Sequence, residues 1–178
     1  MRQLTDLERL RRFMAAIGAE ARQSSRIYFT GGATALLLGW RSTTVDVDIE
    51  IVPERDEILR SIPALKDSLQ INVELASPSH FIPELPGWQG RSPFIATEGK
   101  VSFYQYDLYA QCLAKIERGH ARDLADVGEM MSRGLVKPDE LLRLFEQIET
   151  QLYRYPAIDP PSFRRAVENV VHAKSEPE

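Results

Sequence analysis

The chain has 178 residues, of which 43% are hydrophobic and 27% charged, a composition typical of a globular protein and not of a disordered or fibrous chain. Its net charge of -4 excludes the broadly basic surface of a dedicated nucleic-acid binder, although a charged substrate can still be met locally. No apolar run reaches the length of a membrane helix, and the single cysteine, Cys112, cannot form an internal disulfide. We therefore expect a cytoplasmic protein that does not span a membrane.

The chain opens with a predicted amphipathic helix, because apolar residues recur at helical spacing from residue 4 to residue 17 behind a capping box at residues 5–8. A short β-prone run at residues 27–29 leads through Gly31 and Gly32 into a short helix that ends at Gly39. The pattern predicts a strand, a glycine turn and a helix.

Residues 45–51 alternate between apolar and acidic side chains, which is the pattern of a strand with one buried face. Val45, Val47, Ile49 and Ile51 form the apolar face, and the opposite face carries Asp46, Asp48 and Glu50. A helix is expected over residues 54–69, kinked or split at Pro63, and a further strand over residues 71–75.

The second half of the sequence is predicted to turn helical after one hairpin. Residues 76–93 indicate a long loop of the kind that often carries function, and residues 94–96 and 101–106 a hairpin. Helices are expected from Asp107 to about residue 118, over residues 121–133, from Pro138 to about residue 153, and after Pro160. The predicted fold class is therefore α/β (α+β), with a mixed sheet flanked by helices at residues 1–106 and a helical region packed on it at residues 107–178.

The glycine pair Gly31-Gly32 lies where a strand passes into a helix. Without side chains, the backbone N–H groups can approach a phosphate, and the start of the helix adds partial positive charge. A tight turn or close packing explains two glycines equally well, so the pair alone does not identify a phosphate site.

Asp46 and Asp48 project from the same face of their strand, close enough to share hard cations such as Mg²⁺ or Mn²⁺. Two such ions assist phosphoryl and nucleotidyl transfer. The alternative is a solvated strand face, which Glu50 would simply continue. The repulsion among like charges and the poor strand propensity of Asp favour the metal site.

Arg41 and Thr44 lie between the two motifs and offer a guanidinium and a hydroxyl to a phosphate. The combined spacing is Gly-Gly, eight residues, Arg, two residues, Thr, one residue, Asp, one residue, Asp. This arrangement resembles the nucleotidyltransferase superfamily, and within it the bacterial proteins near the abortive-infection toxins of the AbiEii type. The resemblance implies a mixed sheet flanked by helices, magnesium and a nucleoside triphosphate.

The resemblance also implies three residues further along the chain. Glu74 would supply a third carboxylate as metal ligand or base, and Lys115 would hold the triphosphate. Asp123 would position Lys115 or Arg41. The alternative for Lys115 and Asp123, which recur with Arg118 and Asp126 at helical spacing, is an internal salt-bridged helix pair.

Aromatic and histidine residues give weaker signals. Trp88 and the run at residues 103–106 can stack on a base, although alternating aromatic residues in a hairpin are more often core. His80, His120 and His172 lack a ligand-like spacing, and we assign no zinc site to them.

The sequence thus predicts a metal-dependent nucleotidyltransferase that transfers a nucleotidyl group from an NTP to an acceptor. An RNA, such as the end of a tRNA, is a suitable acceptor. A role as the toxin of a toxin–antitoxin pair, with a cognate antitoxin as the protein partner, is also compatible with the sequence. Two alternatives remain: a catalytically inactive binding or regulatory partner with this fold, and a nucleotidyltransferase acting on a small molecule such as an antibiotic. The negative charge of the chain favours the small molecule over nucleic acid.

Overall fold

The computed structural model describes residues 3–173, and the contacts among them form two compact units. The first, here called the sheet unit, runs to Ser77 and takes in Ser92–Tyr106. The second, the helical unit, consists of Pro78–Arg91 and the described chain from Asp107 onward. The predicted α/β (α+β) class is confirmed, since a mixed sheet with helices is followed by a helical C-terminal half. The described helices all lack the combination of length and apolar character needed to cross a membrane.

The sheet unit holds the sheet and three helices. In chain order its elements are α1 (Leu7–Glu20), β1 (Ser25–Thr30), α2 (Gly32–Leu38), β2 (Asp46–Val52), α3 (Asp56–Leu69), β3 (Asn72–Leu75), β4 (Phe94–Glu98) and β5 (Val101–Gln105). The strands are ordered β3-β2-β1-β5-β4. The pairs β1–β5 and β2–β3 are parallel, and the pairs β1–β2 and β4–β5 are antiparallel.

One face of this sheet is apolar and supports the core, which contains side chains from α1, α2 and α3. Val47 and Ile49 of β2 and Phe29 of β1 are fully buried there. The strand alternation predicted for residues 45–51 is therefore correct from Asp46 onward, and it places the acidic side chains on the opposite face. Val45 was expected on the apolar face, but it precedes the strand and is 54% exposed.

The cap predicted for α1 was wrong, and of the kink or split predicted at Pro63 the split is absent. The cap of α1 is Asp6 and not Thr5: the Asp6 carboxylate accepts the Arg9 N–H at 2.8 Å, while Thr5 exchanges backbone hydrogen bonds with Thr44. Pro63 does not split its helix, because α3 is continuous from Asp56 to Leu69. Pro63 is exposed, so its missing N–H leaves no buried hydrogen-bond gap.

The helical unit contains α4 (Trp88–Arg91), α5 (Leu108–Arg118), α6 (Ala121–Ser132), α7 (Pro138–Glu149) and α8 (Pro160–Ala173). Asp107 caps α5 as predicted, and α7 ends earlier than predicted, before a short 3₁₀ turn at Leu152–Arg154. Residues 76–93 are not a plain loop, since they hold a 3₁₀ turn at Pro78–His80 and the helix α4. Within the helical unit, Arg91 of α4 forms an ion pair with Asp107 at 2.7 Å.

Candidate functional site

The two aspartates of β2 lie on the polar face of the sheet, where both side chains are half-buried. The strand register places Asp48 directly opposite Thr30 of β1 on one side and Glu74 of β3 on the other. Asp46 is opposite Asn72 in the same way. Since residues directly opposite share a face, Asp46, Asp48 and Glu74 project to the same side of the sheet.

Asn72 is the residue of this site that the sequence analysis missed. Its side-chain amide donates one hydrogen bond to Asp46 Oδ1 at 2.6 Å and another to Glu74 Oε1 at 3.1 Å. The amide therefore joins the two carboxylates across neighbouring strands and offsets their mutual repulsion. The spacing of Asn72 and Glu74, two residues apart on one strand, was visible in the sequence, but the pairing of Asn72 with Asp46 depends on the register.

The glycine turn contacts the acidic strand closely. Gly31 has a φ of +64°, and a Cβ atom there would lie 2.8 Å from Asp48 Oδ2. A Cβ atom on Gly32 would lie 2.0 Å from Thr44 Oγ1. Both positions exclude a side chain, so close packing accounts for the two glycines and at the same time fixes the backbone of the turn against Asp48.

Arg41 and Thr44 lie beside the same turn. An Nη1 atom of Arg41 is 3.6 Å from the position that a Gly32 Cβ would occupy. The Thr44 hydroxyl donates to the Asp46 backbone carbonyl at 2.9 Å, and the Thr44 residue is buried. The Thr44 hydroxyl therefore donates its proton within the turn, and this hydrogen bond stabilises the start of β2.

Lys115 and Asp123 belong to the helical unit and form a buried ionic cluster there. The Lys115 ammonium is 2.7 Å from Asp126 Oδ2 and 3.5 Å from Asp123 Oδ1. Arg118 contacts Asp123 Oδ1 at 2.7 Å. Lys115 is 4% and Asp126 2% exposed, so the internal salt-bridged pair considered for these helices is present.

Asp46 and Asp48 on the acidic face are candidates to hold a cation together with phosphate oxygens. No group of three His, Cys, Asp or Glu side chains among residues 3–173 converges as a metal site made by protein alone would require. Mg²⁺ usually takes one or two carboxylates and completes its shell with water and phosphate oxygens. Asp46 and Asp48 provide that donor set, and Glu74 is exposed beside them.

The other candidate residues have different environments. Trp88, Phe103 and Tyr106 are at most 4% exposed, so the core interpretation is right for these three, whereas Tyr104 is partly exposed. Cys112 is completely buried, and this burial raises the pKa of its thiol to about 12, which excludes a reactive thiolate at neutral pH.

The small mixed sheet, with two aspartates two residues apart beside a glycine turn between a strand and a helix, agrees with the resemblance to nucleotidyltransferases seen in the sequence. A family model described as "Nucleotidyltransferase of unknown function (DUF6036)" matches residues 5–165. The chain belongs to this family. No match was found among the curated proteins or among the solved structures.

Proposed function

We propose that this protein is a metal-dependent enzyme that transfers a nucleotidyl group from a nucleoside triphosphate to a hydroxyl of an acceptor, with release of pyrophosphate. The observation that carries the proposal is the register that aligns Asp48 with Glu74 and Asp46 with Asn72 beside the turn at Gly31. Membership in a nucleotidyltransferase family supports the same reaction class. We assign the reaction to the cytoplasm.

Asp46 and Asp48 would hold Mg²⁺ or Mn²⁺, with Glu74 completing the acidic site as ligand or base. The bound cation would neutralise phosphate charge and acidify the attacking hydroxyl. The chain would contribute positioning and charge: the backbone at Gly31 and Gly32 approaches the phosphates, and Arg41 pairs with them through its planar guanidinium.

Lys115 would add a second cation for the triphosphate, with Asp123 as its positioning residue. The contact between Lys115 and Asp123 at 3.5 Å supports this pairing. The closer contact between Lys115 and Asp126 means that Asp126 shares the positioning role.

RNA, such as the end of a tRNA, is the acceptor we propose, and a role as the toxin of a toxin–antitoxin pair of the AbiEii type follows from the sequence resemblance. A cognate antitoxin would be the protein partner. An acceptor of this kind needs a local basic surface, because the chain as a whole has a net charge of -4.

The second candidate is a binding or regulatory module that keeps the fold without catalysis. It is favoured by the Asn72 amide, which already engages Asp46 and Glu74. A third candidate, transfer to a small molecule such as an antibiotic, is favoured only by the negative net charge. The presence of a labelled product separates the enzyme from the binding module, and the identity of that product separates the two acceptors.

The deciding experiment incubates the protein with α-labelled nucleoside triphosphates, Mg²⁺ or Mn²⁺, and total RNA. Wild type is expected to label RNA, and the isosteric double variant Asp46→Asn/Asp48→Asn is expected to lose the labelling by about 100-fold or more. Glu50→Gln is the matched control, because Glu50 continues the same strand face two residues beyond Asp48.

Equal losses in Glu50→Gln and in the double variant would indicate a general effect of the acidic face and contradict the assigned site. If wild type labels an aminoglycoside or another small molecule and no RNA, the acceptor proposal is wrong. If wild type neither binds a metal–triphosphate complex nor labels any acceptor, the binding module replaces the enzyme.

A further inference from the structure

The polar face of the sheet carries a second set of side chains, at the opposite end of the strands from Asp46 and Asp48. Arg26 lies near the start of β1, and Ser102 and Tyr104 lie on β5, directly opposite Arg26 and Tyr28. Since Thr30 of the same strand is opposite Asp48, all of these side chains share one face. Four residue steps along β1, from Arg26 to Thr30, separate the two sets by roughly 13 Å.

Aromatic rings are arranged side by side across three strands at this end. The Tyr104 ring stacks on Tyr28 with centroids 5.2 Å apart, and Phe94 of β4 contacts Tyr104 edge-on at 5.6 Å. The Arg26 guanidinium lies over the Tyr104 ring at 5.9 Å. Phe94 is 60% exposed on the edge strand, so the Phe94 ring is accessible to a stacking partner.

A cavity of about 490 Å³ lies beside the Tyr104 ring, and its charged lining residues are both cations. Arg26, Lys100, Ser102 and Tyr104 contribute to its lining, and none of its lining residues, all of which the structure describes, is Asp or Glu. This contrasts with a chain that has 26 acidic residues against 22 Lys and Arg. Lys100 is held in place because its ammonium donates to the Arg22 carbonyl at 2.7 Å.

We infer that Arg26, Phe94, Lys100, Ser102 and Tyr104 form a binding surface for single-stranded RNA, here called the RNA surface. Single-stranded nucleic acids bind where cations meet the phosphates and exposed aromatic rings stack on the bases. The RNA surface offers Arg26 and Lys100 for the first purpose and Phe94 for the second, while Ser102 and Tyr104 add hydroxyl groups.

An extended strand fits the RNA surface better than a compact ligand does. From β4 across β5 to β1, the side chains span two interstrand spacings, roughly 10 Å, and Arg26, Phe94 and Lys100 are exposed to solvent. The surface also lies on the same sheet face as the aspartates. An RNA bound there would pass toward them along the strand direction.

This inference deepens the proposed function, because it identifies single-stranded RNA as the acceptor class. Binding is nevertheless measured without catalysis. We therefore propose to measure the fluorescence anisotropy of a labelled single-stranded RNA of about 12 nucleotides, titrated with the full chain without triphosphate at several salt concentrations.

Wild type is expected to bind this RNA with a salt-dependent affinity. In Arg26→Ala/Lys100→Ala, the slope of log affinity against log salt is expected to become shallower by about 1.4, since each phosphate contact to a single strand contributes about 0.7. Phe94→Ala is expected to weaken binding by about tenfold through the loss of stacking. These side chains are exposed, so the variants should fold.

Two controls match these variants. Arg11→Ala/Arg12→Ala removes the same charge from exposed positions of α1, and Tyr153→Ala removes an aromatic ring that is 73% exposed and has the Arg154 guanidinium at 5.7 Å. Both are expected to bind RNA as wild type does. If either control loses as much affinity as its matched variant, the effect is not specific and the inference fails.

The binding assay tests the RNA surface and the transfer assay tests the enzyme function, so either claim can be contradicted without the other. Absence of RNA binding by wild type at about 50 mM salt, or unchanged binding by Arg26→Ala/Lys100→Ala, overturns the RNA surface. The Asp46→Asn/Asp48→Asn variant is expected to bind RNA normally while it loses transfer. If wild type binds RNA through this surface but transfers nothing, the surface stands and the proposed enzyme function falls.

Discussion

Gly31 is the residue at which backbone geometry and the candidate site meet. Its φ of +64° and ψ of -131° are disfavoured for other residues, and a Cβ atom would come within 2.8 Å of Asp48 Oδ2. We expect Gly31→Ala to destabilise the protein by about 2–3 kcal/mol in urea denaturation and to reduce Mn²⁺ binding by displacing the Asp48 carboxylate.

Gly39 provides the control for this substitution. It also has a positive φ, +88°, but outside its chain neighbours no heavy atom lies within 4 Å of the position that a Cβ atom would occupy. Gly39→Ala should cost only about 1 kcal/mol and leave Mn²⁺ binding unchanged. Equal effects of the two variants would show that the contact with Asp48 does not matter.

Asn72 is expected to position the carboxylates for a cation. Its two hydrogen bonds leave Asp46 Oδ2 and Glu74 Oε2 outside the amide contact, so each carboxylate keeps an oxygen that can face a metal ion. Removing a side chain that orients metal ligands typically costs about tenfold or more in metal affinity. Asn72→Ala should therefore weaken Mn²⁺ binding about tenfold by calorimetry.

The exposed Asn169 of α8 is the matched control for this measurement. Asn169→Ala should bind Mn²⁺ as wild type does. Tighter Mn²⁺ binding by Asn72→Ala would show that the amide competes with the cation, and the positioning role would be wrong.

At the level of elements, the pair α5 and α6 depends on the buried ion pair of Lys115 and Asp126. Lys115→Met removes the ammonium that lies 2.7 Å from the Asp126 carboxylate, and Asp126 is only 2% exposed. Breaking a buried pair in this way costs about 3–5 kcal/mol. By contrast, Arg133→Ala breaks an exposed pair with Glu129 in α6 and should cost at most about 1 kcal/mol.

The double variant Lys115→Met/Asp126→Leu separates stability from catalysis. Replacing both charges with apolar groups should restore most of the lost free energy of unfolding in urea denaturation. If Lys115 also contacts the triphosphate, transfer activity stays low in the restored protein. Recovery of both stability and activity would limit Lys115 to a structural role.

The ion pair of Arg91 and Asp107 links α4 to the start of α5 and should make stability depend on pH. Burial raises the pKa of Asp107, and the hydrogen bonds from Arg91 oppose that rise. In Arg91→Met the opposing effect is lost, so the pKa of Asp107 in the folded state rises further above its unfolded value. Protonation of Asp107 then stabilises the folded state relative to the unfolded state.

Arg91→Met should therefore be closest to wild type in stability below the unfolded pKa of Asp, about 3.9, and should lose stability as pH rises through the folded pKa. At pH 7 the loss is expected to be about 3 kcal/mol. Urea denaturation across this pH range measures it, with Arg60→Met as control, because Arg60 pairs with Asp56 on an exposed helix face. A loss that does not vary with pH would contradict this account.

The elements that the sequence predicted well are those with a local signal. The alternation at residues 46–51 fixes β2 and its acidic face, and Asp107 and Pro138 mark helix starts by capping and by a preset φ. The role of Asn72 was not predictable, because it depends on the parallel register between β2 and β3. Thr5 was misassigned because Asp6 is an equally good cap one residue later.

At the scale of the whole molecule, the chain passes from one compact unit to the other more than once. Pro78–Arg91 belongs with the helical unit although Ser92–Tyr106, which follows it, belongs with the sheet unit. Composition along the chain could not reveal this, because the contacts are between residues far apart in sequence. The Tyr155 hydroxyl, for example, donates to the Ser79 carbonyl at 2.8 Å. The domain boundary predicted near residue 106 needs a direct test.

A fragment of residues 107–178 should fold poorly, because it lacks the contacts that Pro78–Arg91 makes within the helical unit. It loses Arg91 as partner of the fully buried Asp107 and Phe81 as partner of the Arg118 guanidinium, which lies 5.6 Å from the Phe81 ring. Circular dichroism during urea titration should show a broad, weakly cooperative transition for this fragment.

A second fragment restores the missing segment. The Arg91 and Asp107 side chains are in contact, so their backbones lie within the reach of about four Gly or Ser residues, which can replace residues 92–106. Residues 78–91, this linker and residues 107–178 should then unfold cooperatively. If the shorter fragment already folds as well as the linked one, Pro78–Arg91 adds little stability, and the boundary predicted from the sequence describes the folding unit better than the contacts do.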